Sequence, residues 1–243
     1  MMLAAALIWI GAAAGQTPSA GEFLTDFAKQ RDAMTSLRAD FVQTTTNPDE
    51  TEVSKGTLVY ASPKRLIFRY DDPALAYMID GLRVYEYDPD TAQIQIFDLE
   101  DRPESEAFYL GFESNIARLQ EAYEIKVLPP DNSETHAIAV EFTPRPREDS
   151  EDEPYFQRVR LQLRKNDFLP TDILIVNDEE SQTSFAITNF AINEVLPEDL
   201  SHVRVPEGTA IIENDDYSGE APAGGALFPA PAAAPAVKSE DVP

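Results

Sequence analysis

The sequence predicts a mainly β protein with short helices, an α+β chain built on a meandering antiparallel sheet. Three observations predict it. Apolar residues alternate at period two in many short segments; turn signals such as Asp80-Gly81 separate those segments; and the period becomes helical in two places, Glu22–Leu37 and Arg102–Glu121. Strands joined by hairpin-like turns at spacings of about ten residues exclude βαβ units.

Taken in order, the apolar run Met1 to Ile10 followed by Gly11-Ala12-Ala13-Ala14-Gly15 is too short to span a bilayer. It has the form of a secretory signal over residues 1–15, although no Lys or Arg precedes it. Ser19-Ala20-Gly21-Glu22 is a capping box, and Phe23, Phe27, Gln30, Met34 and Leu37 follow at helical spacing. Strands are expected at Val53–Tyr60, Arg65–Tyr70, Leu75–Ile79, Leu82–Tyr87 and Ile94–Leu99. The second helical stretch carries Ala107, Phe108, Leu110, Phe112, Ile116 and Leu119, and Gly111 predicts a break into two short helices. Strands resume at Tyr123–Leu128, Ala137–Thr143, Tyr155–Arg164, Thr171–Asn177 and Ser184–Asn193, with a last short one at Ala210–Ile212. These elements define a domain over 16–214. Residues 215–243, rich in Ala, Pro, Gly and acids, are expected to be disordered because they offer little apolar surface to offset ordering entropy.

Composition excludes several functions. The 243 residues carry a formal net charge of −25, the wrong sign for nucleic acid or for tight docking on an anionic membrane. There is no cysteine, hence no disulfide, no thiolate metal site and no lipobox anchor. His136 and His202 lack metal-ligand spacing, and Gly111-Phe112-Glu113-Ser114-Asn115 misses the nucleophile elbow. The acidic runs Glu148–Glu153 and Asp178–Glu180 lack the oxygen spacing of a calcium loop. Neither an enzyme, a cofactor nor a metal is expected.

The alternation defines an apolar face. Leu66, Phe68 and Tyr70 share one side of their strand, as do Ile94 and Ile96, Ile138, Val140 and Phe142, and Val159, Leu161 and Leu163. Two short helices must cover the face. They either fill it as an ordinary core or leave an apolar concavity of ligand size.

The order of the pieces resembles the outer-membrane lipoprotein carrier protein family (LolA). Phe41-Val42-Gln43 supplies its F-x-Q element, and Gly56-Thr57-Leu58-Val59-Tyr60 its glycine-containing strand. Pro63 precedes Leu66-Ile67-Phe68-Arg69-Tyr70, Pro73 leads to Ile79-Asp80-Gly81, and Val84-Tyr85-Glu86-Tyr87-Asp88-Pro89 closes the stretch. Phe190-Ala191-Ile192-Asn193 and Val205-Pro206-Glu207-Gly208 match its end, so the likeness spans about residues 22–213. Family members carry an Arg before the Pro of the third element, where it helps control lid opening; this chain has Ser62, with Lys64 and Arg65 just after the Pro.

The resemblance implies an unclosed antiparallel β-barrel of about eleven strands, with a helical lid over an apolar cavity. It assigns to the lipid-binding side Leu58, Leu66, Phe68, Tyr70, Tyr77, Ile79, Ile94, Ile96, Ile138, Val140 and Leu161, beneath Phe108, Leu110 and Phe112 of the lid. It implies a monomeric periplasmic carrier of lipoprotein acyl chains, partnered by an inner-membrane transporter and an outer-membrane receptor. The other readings are a carrier or sensor of another envelope lipid such as a glycolipid, and a structural periplasmic domain.

Overall fold

The computed structural model describes residues 19–99, 104–146 and 154–229. The expected signal segment and the acidic run at 148–153 lie outside them. Helix α1 (Ala20–Asp32) opens the described chain with the capping box in place: the Ser19 hydroxyl accepts from the Glu22 N–H, and the Glu22 carboxylate accepts from the Ser19 N–H at 3.0 Å. The helix stops at Asp32, five residues short of the expected end. Leu37 instead belongs to β1 (Ser36–Thr46) and is fully buried there.

A meander follows: β2 (Thr51–Ala61), β3 (Arg65–Asp71), β4 (Ala74–Asp80), β5 (Arg83–Asp88) and β6 (Gln93–Asp98). Two short helices, α2 (Glu104–Tyr109) and α3 (Ile116–Ala122), flank Gly111 as the sequence predicts. A second meander runs through β7 (Tyr123–Leu128), β8 (His136–Pro144), β9 (Arg158–Arg164), β10 (Pro170–Val176) and β11 (Gln182–Ile192). The long strand β1 joins the halves, pairing antiparallel with β2 on one side and β11 on the other. Asn193, in the left-handed region at φ 58°, ties the seam: its side-chain oxygen accepts from the Thr35 N–H at 2.8 Å.

Eleven strands, β1 to β11, therefore form the open meander; ten lie at expected segments, β1 is not among those expected, and the sheet has thirteen strands in all. After α4 (Glu198–Ser201) and β12 (Val203–Val205), β13 (Ala210–Glu213) adds parallel to β6, and β14 (Asp216–Glu220) extends the edge. A final strand, β15 (Ala226–Phe228), pairs with β12 in a separate two-stranded sheet. The expectation of disorder from residue 215 is thus corrected for 216–228. The segment is poor in apolar residues, yet β14 finds a partner at the open sheet edge, and Ala221, Ala226 and Phe228 lie on a sheet face that supplies the other half of their buried surface.

That face is the convex side of β2–β6. Val59, Ile67, Ala76, Met78, Tyr85, Ile94 and Ile96 are buried there against Val203, Val205 and Ala221. Tyr85 meets Phe228 with ring centroids 6.0 Å apart. Arg65 and Arg69, projecting from the same side of β3, donate to the carbonyls of Ser201 (2.8 Å) and of Asp199 (2.9 Å) and His202 (2.6 Å), fastening the end of α4.

The opposite, concave side holds the main core. Phe23, Leu24 and Phe27 of α1, with Ala107, Leu110, Phe112 and Leu119 of the α2–α3 region, lie over Phe41, Leu58, Phe68, Val140, Leu161 and Phe185. Gly56 permits the tight curl of this side. A Cβ there would sit 1.8 Å from the Arg69 carbonyl oxygen, and Phe41 is paired directly opposite. Gly56→Ala is expected to force β2 and β3 apart and cost about 3 kcal/mol or more, a fall of roughly 6–12 °C in Tm. Thermal unfolding by circular dichroism checks this, and an unchanged Tm would show that the strands separate freely. Among the described residues no helix is long and apolar enough to cross a membrane.

Candidate functional site

Antiparallel register decides which expected residues meet. Phe68 faces Tyr77, and Leu66 faces Ile79, so these four share the concave side. Leu58, Leu66, Phe68, Leu110, Phe112, Ile138, Val140 and Leu161 belong to one continuous buried cluster, with Tyr70, Tyr77 and Phe108 packed on it. Ile79 joins Val84, Phe97 and Leu99 in a smaller cluster, which also touches Tyr77, Phe108 and Tyr109. Ile94 and Ile96 do not belong: they pair with Tyr87 and Tyr85 and lie on the convex side beneath the C-terminal strands. Gln95 takes the concave position on β6, opposite Glu86. Alternation alone could not distinguish the faces of β6, because both sides of this half are covered.

Sequence reasoning misses several interior residues. Phe41 and Phe185 stand at its centre, with ring centroids 5.4 and 5.7 Å from Phe68. Ile173, Ile175 and Ile187 also face inward. Their period-two spacing is present in the sequence and is the signal that could find them; Phe41 is hidden when the first helix is extended as far as Leu37.

The lid is held by side chains, since helices of six and seven residues are not stable by themselves. Phe108 reaches down between the strands, its ring centroid 5.4 Å from Phe68, 6.0 Å from Tyr77 and 5.5 Å from Phe185. Phe112 stacks on Tyr60 at 5.7 Å. Gly111 lies against Pro170 of β10, with only 2.9 Å between a hypothetical Cβ and the proline Cγ. A hydrogen bond joins the Tyr77 hydroxyl to that of the fully buried Ser105. Lid side chains thus fill the concave side in this conformation. The cleft left along the edge of the lid, by Lys64, Gly81, Leu99, Tyr109 and Arg118, holds about 30 Å³. Ligand pockets run to several hundred.

Polar groups punctuate the rim. Tyr70 donates to the Gln43 side chain at 2.6 Å, and burial pushes its hydroxyl up to about 12. Arg31, 3% exposed, clamps α1 to the β9–β10 turn through the carbonyls of Asp167 (3.0 Å) and Phe168 (2.5 Å). Burial lowers its guanidinium to about 10. Phe168 is held there at φ 54°, a costly conformation for a bulky residue, with its ring edge-on to Phe23. Among the described residues the buried Tyr109 hydroxyl has no hydrogen-bond partner. Of the two basic residues that follow Pro63, Arg65 turns to the convex side, where it meets Asp80 at 3.3 Å; Lys64 is the one at the lid.

The chain matches one family model and is similar to several solved structures. The family model described as "Outer membrane lipoprotein carrier protein LolA" matches residues 32–201. A solved structure of an uncharacterized conserved protein from Thermus thermophilus is 13% identical with a TM-score of 0.51, covering 81% of this chain and all of that one. A LolA superfamily protein from Nitrosomonas europaea is 14% identical with a TM-score of 0.42, covering 75% of this chain and 96% of that one. Among curated protein sequences, none matches.

Proposed function

The chain belongs to the outer membrane lipoprotein carrier protein LolA family, and from that premise we propose that it is a periplasmic carrier. In this reading it shields the acyl chains of lipoproteins beneath its lid and moves them from the inner to the outer membrane. An inner-membrane transporter would load it and an outer-membrane receptor would empty it. Leu58, Leu66, Phe68, Tyr70, Tyr77, Ile79, Ile138, Val140 and Leu161 would form the acyl-binding face, with Phe108, Leu110 and Phe112 giving way to the chain.

The observation that carries the reading is a continuous apolar concave face closed by two helices too short to be independent. Energies of the two states are comparable. Detaching Phe108, Leu110, Phe112 and Leu119 from the interior costs about 6–12 kcal/mol at 1.5–3 kcal/mol per side chain. A sixteen-carbon acyl chain recovers about 12 kcal/mol at 0.8 kcal/mol per CH₂. Lid and lipid are therefore matched competitors for one surface, as a carrier that must both load and unload requires.

Purified protein is expected to take up a fluorescent acyl probe at one saturable site and to extract an acylated peptide from vesicles. Absence of any uptake would identify the face as a permanently packed core. Mass spectrometry of protein isolated from the cell envelope without detergent identifies the cargo: acylated peptide supports the lipoprotein reading, and free lipid replaces it with carriage of another envelope lipid.

A further inference from the structure

The cleft at the edge of the lid differs from the rest of the interior. Leu110, Leu119 and Tyr123 line it and also belong to the main apolar cluster, so it opens onto the surface proposed to hold acyl chains. Its other walls are polar. Tyr109 brings a buried hydroxyl that has no hydrogen-bond partner among the described residues. Lys64 and Arg118 bring two cations. Glu113 brings one carboxylate, which accepts from the Asn115 N–H at 2.8 Å and lies 3.4 Å from the Arg118 guanidinium. Among the described residues that line the cleft, Glu113 pairs with Arg118 and Lys64 adds a second cation, in a chain whose net charge is −25. Burial raises the Tyr109 hydroxyl well above its usual range, so it stays protonated and able to donate.

We propose that this cleft is a headgroup subsite that takes an oxyanion, carboxylate or phosphate, attached to the acyl chain lying under the lid. The Tyr109 hydroxyl donates a hydrogen bond to the anionic oxygen, and the Lys64 ammonium neutralises it. The proposal rests on the acyl-carrier reading and narrows it to ligands with an anion beside the chain. A donor with no acceptor among the described protein groups is free to bond the ligand, and a ligand that supplies an anionic oxygen there is preferred to a neutral one of the same shape.

Three probes with the same fluorescent acyl chain test it: the free acid, its methyl ester and the acyl glycerophosphate. The free acid or the glycerophosphate, or both, are expected to bind about 10-fold more tightly than the ester, a difference of about 1.4 kcal/mol. Which of the two gains the advantage identifies the oxyanion as carboxylate or phosphate. Tyr109→Phe is expected to lose most of that preference while leaving ester affinity unchanged and the ligand-free Tm no lower. Lys64→Gln should reduce the preference in the same way. Equal binding of all three probes by the unmodified protein overturns the subsite but leaves the carrier reading standing. A Tyr109→Phe protein with lowered Tm and equal losses for every probe overturns it too, by making Tyr109 a structural residue. If no probe binds, the carrier reading fails and the subsite fails with it.

Discussion

A protein carrying Gly111→Cys and Pro170→Cys is expected to lose acyl-probe uptake when oxidised and to recover it on reduction. A Cβ built on Gly111 lies 3.8 Å from the Pro170 Cβ, at the mean separation for a disulfide. The chain has no cysteine of its own, so the engineered pair has no competing partner. The bond would join the segment between α2 and α3 to β10 and keep Phe108 and Phe112 seated. The edge cleft of about 30 Å³ cannot admit an acyl chain, so uptake must wait for the lid to lift. Affinity should fall by about two orders of magnitude, corresponding to roughly 2.8 kcal/mol. Each single-cysteine variant controls for the substitutions themselves. Undiminished uptake by the fully oxidised protein would place the acyl site outside the lid and sink the mechanism proposed above.

Truncation of the C-terminus is the second large effect. A chain ending at Gly219 loses Ala221 and β15, and with them the strand that pairs with β12. Val203 and Val205, now 1% and 0% exposed, would lose their cover, as would Tyr85 where Phe228 meets it. Each apolar side chain returned to water costs about 1.5–3 kcal/mol when fully exposed. Partial exposure of several gives about 3–6 kcal/mol, or a Tm lower by roughly 6–24 °C. A chain ending at Pro229 keeps β12–β15 and is the control. If the chain ending at Gly219 melts with the control, the convex layer is an ornament on an already stable sheet, and the burial argument for it is wrong.

Much of the architecture was legible because it is local. The Ser19–Glu22 capping box, the Asp80-Gly81 turn and the break at Gly111 each express the chemistry of a few neighbouring residues, and each occurs where expected. Leu66, Phe68, Ile138, Val140 and Leu161 point inward as their alternation and the family likeness together suggested. Leu37 failed because its spacing after Phe23 and Phe27 continues a helical pattern, while pairing with Tyr60 and Ile192 gives it a place in the sheet.

The sequence by itself determined the two meanders on either side of the α2–α3 region, the sites of most turns, and which residues of a strand share a face, but not β1, α4, β12, β14 or β15. Only the tertiary structure decided which face is inward, because that depends on partners far along the chain. Ile96 lies across from Tyr85, and from there the register runs back to Ile67 on the convex side. No periodicity within β6 records that pairing. Ordering of 216–228 was likewise decided by the open edge beside β13 that β14 takes and by the apolar convex face that Ala221, Ala226 and Phe228 cover, not by the segment's own composition. The closed lid follows from the same cause: Phe108 fills the interior only because β3, β4 and β11 bring Phe68, Tyr77 and Phe185 to one place. Alternation is a property of residues two apart, whereas coverage is a property of surfaces brought together by pairing across more than a hundred residues.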